Sequence, residues 1–204
     1  LSNLGLANLE EDAIDEAIDY FLEALKYQPE FATAHYNLGL AYQKQGQLDQ
    51  AAKAYGKAIA HRPGHIEAHA NLGSVHHMVG NLKDAINSYQ SAITLQPDHA
   101  DSHSNLAMAL LLEGDYARGW AAYEWRFEVK RSGSMLAAKP RAERWQGEHL
   151  APGTTLLLIC EQGLGDTLQF MRYVLPLKQR NIAVSLCAQA LLTDQQQCRS
   201  WCQV

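Results

Sequence analysis

Four asparagines recur along the first half of the chain at a constant spacing. Asn3, Asn37, Asn71 and Asn105 are each 34 residues apart, and a leucine follows every one of them. A primary amide offers two hydrogen-bond donors and an acceptor, so a row of such side chains can bind a polypeptide backbone without reading its side chains. The alternative is that each asparagine braces its neighbouring segment, because asparagine is intrinsically unfavourable inside a helix. The sequence leaves both roles open.

A second candidate site is the motif EQGLGD, which ends at Asp166. Gly163 and Gly165 permit unusual backbone angles, and Asp166 can cap the helix that follows, so the motif works as a plain turn. Alternatively, Asp166 is a general base that takes a proton from an acceptor hydroxyl. Gln162, Gly163 and Gly165 then form the substrate loop. The motif fails as a dinucleotide fingerprint because Leu168 stands where the third glycine is required.

The histidines and cysteines predict neither a metal site nor a cofactor. His65 and His69, like His99 and His103, are four residues apart, as on one face of a helix, but no third ligand is evident for either pair. All four cysteines lie in the last 45 residues, and no small secreted framework is visible. We expect packing or surface histidines and free thiols.

Charge and hydropathy exclude two classes of partner. The net charge is -5, and no basic stripe is present, which argues against nucleic-acid binding. The purest apolar run, at residues 156–160, is far shorter than the roughly 20 residues of a membrane helix. We expect a soluble, cytoplasmic protein without nucleic-acid or membrane partners. Because the sequence begins with Leu1 and not with methionine, we also expect it to be a segment of a longer protein.

The elements that carry the asparagines show the same 34-residue period, without insertion or deletion. A small residue and an aromatic residue recur in that order in each unit, and a proline follows them in the first three. These positions are Gly5, Gly39, Gly73 and Ala107; Phe21, Tyr55, Tyr89 and Tyr123; and Pro29, Pro63 and Pro97. The small residue lets two helices of a unit pack closely, while Gly46, Gly80 and Gly114 can end the first helix in a left-handed conformation. Proline stops the second helix.

This pattern resembles the tetratricopeptide repeat over about residues 1–130. The resemblance implies a mainly α fold, a right-handed superhelix whose first helices line a concave groove that binds polypeptide. The asparagine row is also similar to the ladder of O-GlcNAc transferases, which holds acceptor polypeptides. By that likeness, the peptide-binding residues are Asn3, Asn37, Asn71 and Asn105.

The fourth unit departs from the pattern and is rich in aromatic residues. Its segment GWAAYEWRFEVK contains Trp120, Trp125 and Phe127. We expect these residues to pack against whatever follows, since a terminal repeat must cover its exposed face. An ordinary polar capping helix is the alternative.

Residues 131–153 are predicted to be a linker and residues 154–204 a partial α/β domain. TTLLLIC and IAVSLC have the composition of buried parallel strands, and DTLQFMRYVLPLKQR between them has helical spacing. The result is a small, incomplete β-α-β segment. Because two parallel strands leave open edges, we expect a homodimer through this segment.

The stretch LLLICEQGLGDTLQFMRY, with the WRF and WQG motifs before it, resembles bacterial proteins in which tetratricopeptide repeats precede a heptosyltransferase-like glycosyltransferase of the two-Rossmann-domain type. The resemblance implies that Asp166 is the catalytic base and that Gly163 and Gly165 lie on the acceptor side. The donor-binding domain of such enzymes is missing from these 204 residues. We therefore expect a scaffold that recruits polypeptide for an attached glycosyltransferase domain. The alternative is an active glycosyltransferase completed by self-association or by further sequence.

Overall fold

The computed structural model describes residues 1–127, 145, 148–159 and 171–187. The chain divides into two compact units, Leu1–Val129 and Lys130–Val204. The expectations for Gln162, Gly163, Gly165 and Asp166 fall outside the described residues, as does most of the predicted linker.

The first unit consists of helix pairs joined by short turns. Its helices are α1 (Ser2–Glu10), α2 (Ile14–Tyr27), α3 (Ala32–Lys44), α4 (Leu48–His61), α5 (Ile66–Met78), α6 (Leu82–Leu95), α7 (Ala100–Glu113) and α8 (Tyr116–Tyr123), followed by a 3-10 helix at Glu124–Phe127. Each helix packs on the next one in the chain, and α1 also contacts α3, as α5 contacts α7. The predicted mainly helical superhelical fold is confirmed, with the pairs stacked in sequence order.

Glycine and proline set the helix ends as predicted. Gly46, Gly80 and Gly114 follow α3, α5 and α7 with φ angles of 78°, 83° and 92°, the left-handed conformation that favours glycine. The prolines stand two residues beyond the ends of α2, α4 and α6. These turns place the second helix of each pair against the first.

The core lies between the paired helices and between neighbouring pairs. The aromatic residues Phe21, Tyr55 and Tyr89 are almost completely buried. Phe21 clusters with Leu38 of the next pair, and Tyr55 clusters with Val75, so the ring fills the space between units. Burial of such large rings contributes most of the packing energy at each junction.

The second unit contains a short parallel sheet in its described part. Strand β1 (Thr155–Ile159) pairs with β2 (Ala183–Cys187), with Leu157 opposite Ser185. A 3-10 turn at Met171–Tyr173 and helix α9 (Val174–Gln179) precede β2. Strand, helix and parallel strand follow in the predicted order.

The sequence composition predicts strands that are buried on both faces. The structure differs from this prediction. Val184 is buried, but Leu157 is 43% exposed. An apolar run therefore marks the strand correctly and overstates its burial. In the described residues α9 packs against β2.

Candidate functional site

The repeated asparagines all lie on the first helices of their pairs but differ in exposure. Asn3 on α1 is exposed, whereas Asn71 on α5 and Asn105 on α7 are half-buried. Asn37 on α3 is only 4% exposed. The position is therefore constant in sequence while its surroundings vary from one unit to the next.

Asn71 braces two neighbouring units. Its Nδ2 donates a hydrogen bond to the hydroxyl of Tyr36 on α3, with an N to O distance of 3.2 Å. Burial raises the pKa of Tyr36, so the hydroxyl stays neutral. The positions equivalent to Tyr36 in the flanking units hold Ser2 and Ala70, so this contact is particular to one junction.

The other amides are not used in this way. The Nδ2 atom of Asn37 is buried and has no hydrogen-bond partner among the described residues. Asn105 forms no side-chain hydrogen bond within the described part of the chain and is only partly buried.

Two of the asparagines share a helix face with exposed apolar side chains. Met78 follows Asn71 by seven residues, and Leu112 follows Asn105 by seven, which is about two helical turns. Met78 and Leu112 are each 61% exposed, and Met108, one turn beyond Asn105, is also exposed. We call these five residues the amide-apolar face. The sequence analysis did not identify Met78, Met108 and Leu112 as candidates. Their regular spacing after each asparagine was the signal that could have indicated them.

The recurring histidines have structural roles in the described residues. In each of three units a histidine Nε2 atom donates to the carbonyl oxygen of the proline six residues before it. The pairs are His35 with Pro29 at 2.8 Å, His69 with Pro63 at 3.0 Å and His103 with Pro97 at 2.9 Å. This contact fastens the turn between successive units to the next first helix.

The predicted histidine pairs do not assemble a metal centre in the described part of the chain. His65 is paired with Glu67 at 3.0 Å, and His99 accepts a hydrogen bond from the backbone N–H of Ser102 at the start of α7. Within the described residues no group of three potential ligands lies close enough to hold an ion. Burial lowers the pKa of His35 and of His65, which favours their neutral rings.

The terminal aromatic residues behave differently from one another. Trp125 stacks on His103, with ring centroids 4.0 Å apart and planes inclined by 4°. Trp120 is 59% exposed and meets Tyr123 edge to face. The side chain of Phe127 lies outside the described part, so docking through the three aromatic residues stays a prediction.

Comparisons with known proteins agree with this geometry. The family model described as "Tetratricopeptide repeat" matches residues 32–65, and the model described as "TPR repeat" matches residues 5–46 and 79–114. The first unit is an array of tetratricopeptide repeats. Comparison with curated proteins finds no match.

Solved structures with a similar fold include MamA proteins. One MamA crystal structure is 26% identical, covers 62% of this chain and 74% of its own, and has a TM-score of 0.59. MamA from Desulfovibrio magneticus RS-1 is 22% identical over 64% of this chain and 73% of its own, with a TM-score of 0.59. The first TPR of Spaghetti (RPAP3) is 18% identical over 55% of this chain and 90% of its own, with a TM-score of 0.55.

None of the helices in the described residues has the length and apolar composition needed to cross a membrane.

Proposed function

We propose that the tetratricopeptide array is a scaffold that binds an extended polypeptide segment along its first helices. The amides of Asn71 and Asn105 contact the backbone of the segment, and the apolar residues beside them contact its side chains. Asn3 extends the same row toward the N-terminus, whereas Asn37, which is only 4% exposed, does not contact the segment. The partner is thus recognised mainly through its main chain, with a preference for apolar side chains.

A single observation carries this proposal. At the equivalent positions of α5 and α7, an amide lies on the same helix face as a long apolar side chain that is 61% exposed. Exposed apolar residues in a repeated pattern indicate an interaction surface, whereas scattered ones do not. A carboxamide next to them can satisfy the polar groups of a bound main chain.

One structure with a similar fold supports the assignment by analogy. The first TPR of Spaghetti (RPAP3) is bound there to the HSP90 peptide SRMEEVD. Because that domain shares only the fold with this chain, the analogy concerns peptide binding in general. The identity of the segment bound here is a separate question.

The proposal can be tested with peptides selected on the intact protein. A random 12-residue library is panned against the full chain, and recovered peptides are titrated by fluorescence anisotropy. Asn105→Ala should weaken binding roughly tenfold, about 1.4 kcal/mol, because it removes an amide that has no internal role. Leu112→Ser should weaken it by a similar amount.

Asn87→Ala is the matched control, because it removes an exposed amide from α6, a second helix. It should leave the affinity unchanged. If Asn105→Ala lowers the melting temperature and leaves peptide affinity intact, the asparagines brace the repeats and the proposal is wrong.

We also propose, as the finer hypothesis, that the array recruits acceptors for an attached glycosyltransferase, as the O-GlcNAc transferase resemblance implies. The parallel pairing of β1 with β2 favours a Rossmann-like start to this domain. Asp166 is its proposed base, with Gln162, Gly163 and Gly165 as the substrate loop. Sugar transfer or donor hydrolysis by the full chain that disappears in Asp166→Asn would support an enzyme; unchanged turnover would exclude this role.

Self-association is part of the same hypothesis. In the described residues β1 and β2 pair only with each other, and an unpaired strand edge offers backbone donors and acceptors to a second copy of the chain. We propose a homodimer through residues 154–190 of a cytoplasmic, bacterial protein. Sedimentation that stays monomeric across a hundredfold range of concentration would contradict the dimer.

A further inference from the structure

A groove lies between the second helices of the first two repeats. Helices α2 and α4 form its sides and α3 forms its floor, enclosing about 460 Å³. Leu22 and Leu25 on α2, with Leu38 and Tyr42 on α3, supply an apolar lining. We call this the α2–α4 groove.

One side of the groove carries a line of bases. Lys53, Lys57 and His61 follow one another at four-residue intervals on α4, about 6 Å apart along the helix axis. All three side chains are exposed. Neither lysine forms an ion pair or side-chain hydrogen bond with another described residue.

The remaining polar groups near the groove leave this side basic. On the facing helix, Glu23 is paired with Lys26 at 2.8 Å, and Asp19 lies one turn before Leu22 without lining the groove. On the floor, His35 stacks on His61 with ring centroids 5.4 Å apart. The acidic groups of α2 therefore stay outside the lining, while the bases of α4 are part of it.

The repeat itself provides an internal comparison. Moving every lining position forward by one unit replaces Leu22 with Gly56, Lys53 with Asn87, Lys57 with Ser91 and His61 with Leu95. The next groove thus lacks the counterpart of Leu22 and all three bases of α4, although Ile59 keeps an apolar residue at the position of Leu25. The chemistry of the α2–α4 groove is particular to one junction and is not required by the repeat fold.

The groove is separate from the amide-apolar face. Along α3, His35, Leu38 and Tyr42 occupy one face at spacings of three and four residues. Asn37, whose position is equivalent to that of Asn71 and Asn105, lies about 100° around the helix from Leu38. Two different surfaces of the array can therefore bind two partners.

We propose that the α2–α4 groove binds an acidic amphipathic helix of a partner protein. Its apolar side chains enter between Leu22 and Leu38, and its carboxylates face Lys53 and Lys57. A helical partner fits better than an extended one because the lining helices use their own backbone groups internally. An extended segment would leave its main-chain donors and acceptors unpaired there, whereas a helix satisfies its own.

The test uses a fluorescein-labelled, hydrocarbon-stapled helical peptide of two heptads. Leucines form one face and glutamates flank it on both sides; a second probe has lysines in place of the glutamates. Binding to the full chain is measured by anisotropy at low and high salt. We expect the glutamate probe to bind at least about tenfold more tightly than the lysine probe, with the difference reduced by salt.

Single charge reversals locate the site. Lys53→Glu and Lys57→Glu should each weaken the glutamate probe about five- to tenfold, whereas Lys83→Glu, at an exposed position on α6, should not. Leu22→Ser should weaken both probes. Asn105→Ala should have no effect, which separates this groove from the amide-apolar face.

Three results would overturn the proposal. The first is equal affinity for the two probes. The second is an affinity that Lys53→Glu and Lys57→Glu leave unchanged. The third is stoichiometric displacement of the probe by sodium dodecanoate at micromolar concentration, which would assign the groove to an alkyl carboxylate.

Discussion

Gly39 and Tyr55 are in contact across the two helices of one repeat. A Cβ atom added at residue 39 would lie 2.6 Å from Cδ1 and Cε1 of the tyrosine ring. The same relationship joins Gly5 to Phe21 and Gly73 to Tyr89, at 2.6 and 2.7 Å. Each aromatic ring is thus packed directly on the backbone of the preceding helix.

We predict that Gly39→Ala destabilises the array by about 1 to 3 kcal/mol. The added methyl group overpacks the contact and forces the buried ring or α3 to shift. Equilibrium unfolding in urea, followed by circular dichroism, measures the change in the free energy of unfolding.

Gly56→Ala is the matched control, since Gly56 lies inside α4 with nothing within 4 Å of an added Cβ. There alanine should stabilise the helix by about 0.5 to 1 kcal/mol through its better helix propensity. Destabilisation of equal size at both glycines would show that the ring contact is not the cause.

Stability should fall as the pH is lowered below 6.5. Burial lowers the pKa of His35 and His65 from the ordinary value of 6.5. Below pH 6.5 the unfolded chain therefore binds more protons at these residues than the folded chain does. Their contribution is complete above pH 6.5 and is lost as the pH falls toward the folded-state pKa values. Melting temperatures recorded from pH 7.5 to 5.5 check the direction.

His35→Gln should reduce this pH dependence, because it removes the proton-binding ring while an amide N–H can still reach the Pro29 carbonyl. His69→Gln makes the same change at the equivalent contact with Pro63 and is the comparison for the structural effect of the substitution. A slope that is identical in wild type and His35→Gln would assign the pH effect to other groups.

The repeat architecture was predictable because period, residue type and helix boundaries all derive from local chemistry. Gly46 ends α3 in a left-handed conformation whatever its neighbours are, and Pro29 stops α2 for reasons internal to its own ring. The small residue at position 39 similarly indicates a close approach. These signals need no knowledge of distant parts of the chain.

The surroundings of the asparagines were less accessible to sequence reasoning. Asn37 and Asn71 are identical residues at equivalent positions, yet the first is buried and the second is bonded to Tyr36. The bond of Asn71 depends on a residue 35 positions away, and the equivalent positions of the other units hold serine or alanine. The bases on α4, Lys53, Lys57 and His61, also reflect a difference between units. The equivalent positions of the next unit hold Asn87, Ser91 and Leu95.

We predict that the Asn71 and Tyr36 side chains are coupled by about 0.5 to 1.5 kcal/mol. Tyr36→Phe removes the acceptor of the 3.2 Å bond and keeps the ring, while Asn71→Ala removes the donor. A double-mutant cycle on the free energy of unfolding isolates the pair. Additive effects of the two substitutions would mean that the contact does not stabilise the junction.

The stacked pair of His103 and Trp125 should hold the 3-10 helix at Glu124–Phe127 onto α7. Its rings are nearly parallel at 4.0 Å, and the histidine Nε2 is also bonded to the Pro97 carbonyl, which fixes the orientation of the imidazole. Trp125→Leu keeps much of the apolar area and removes the stacking, so we expect a loss of about 0.5 to 1.5 kcal/mol. The loss should be smaller when His103→Ala is already present.

Trp120→Leu provides the comparison, because Trp120 is largely exposed and its replacement should barely affect unfolding. Equal losses at the two tryptophans would contradict a specific role for the stack in closing the array.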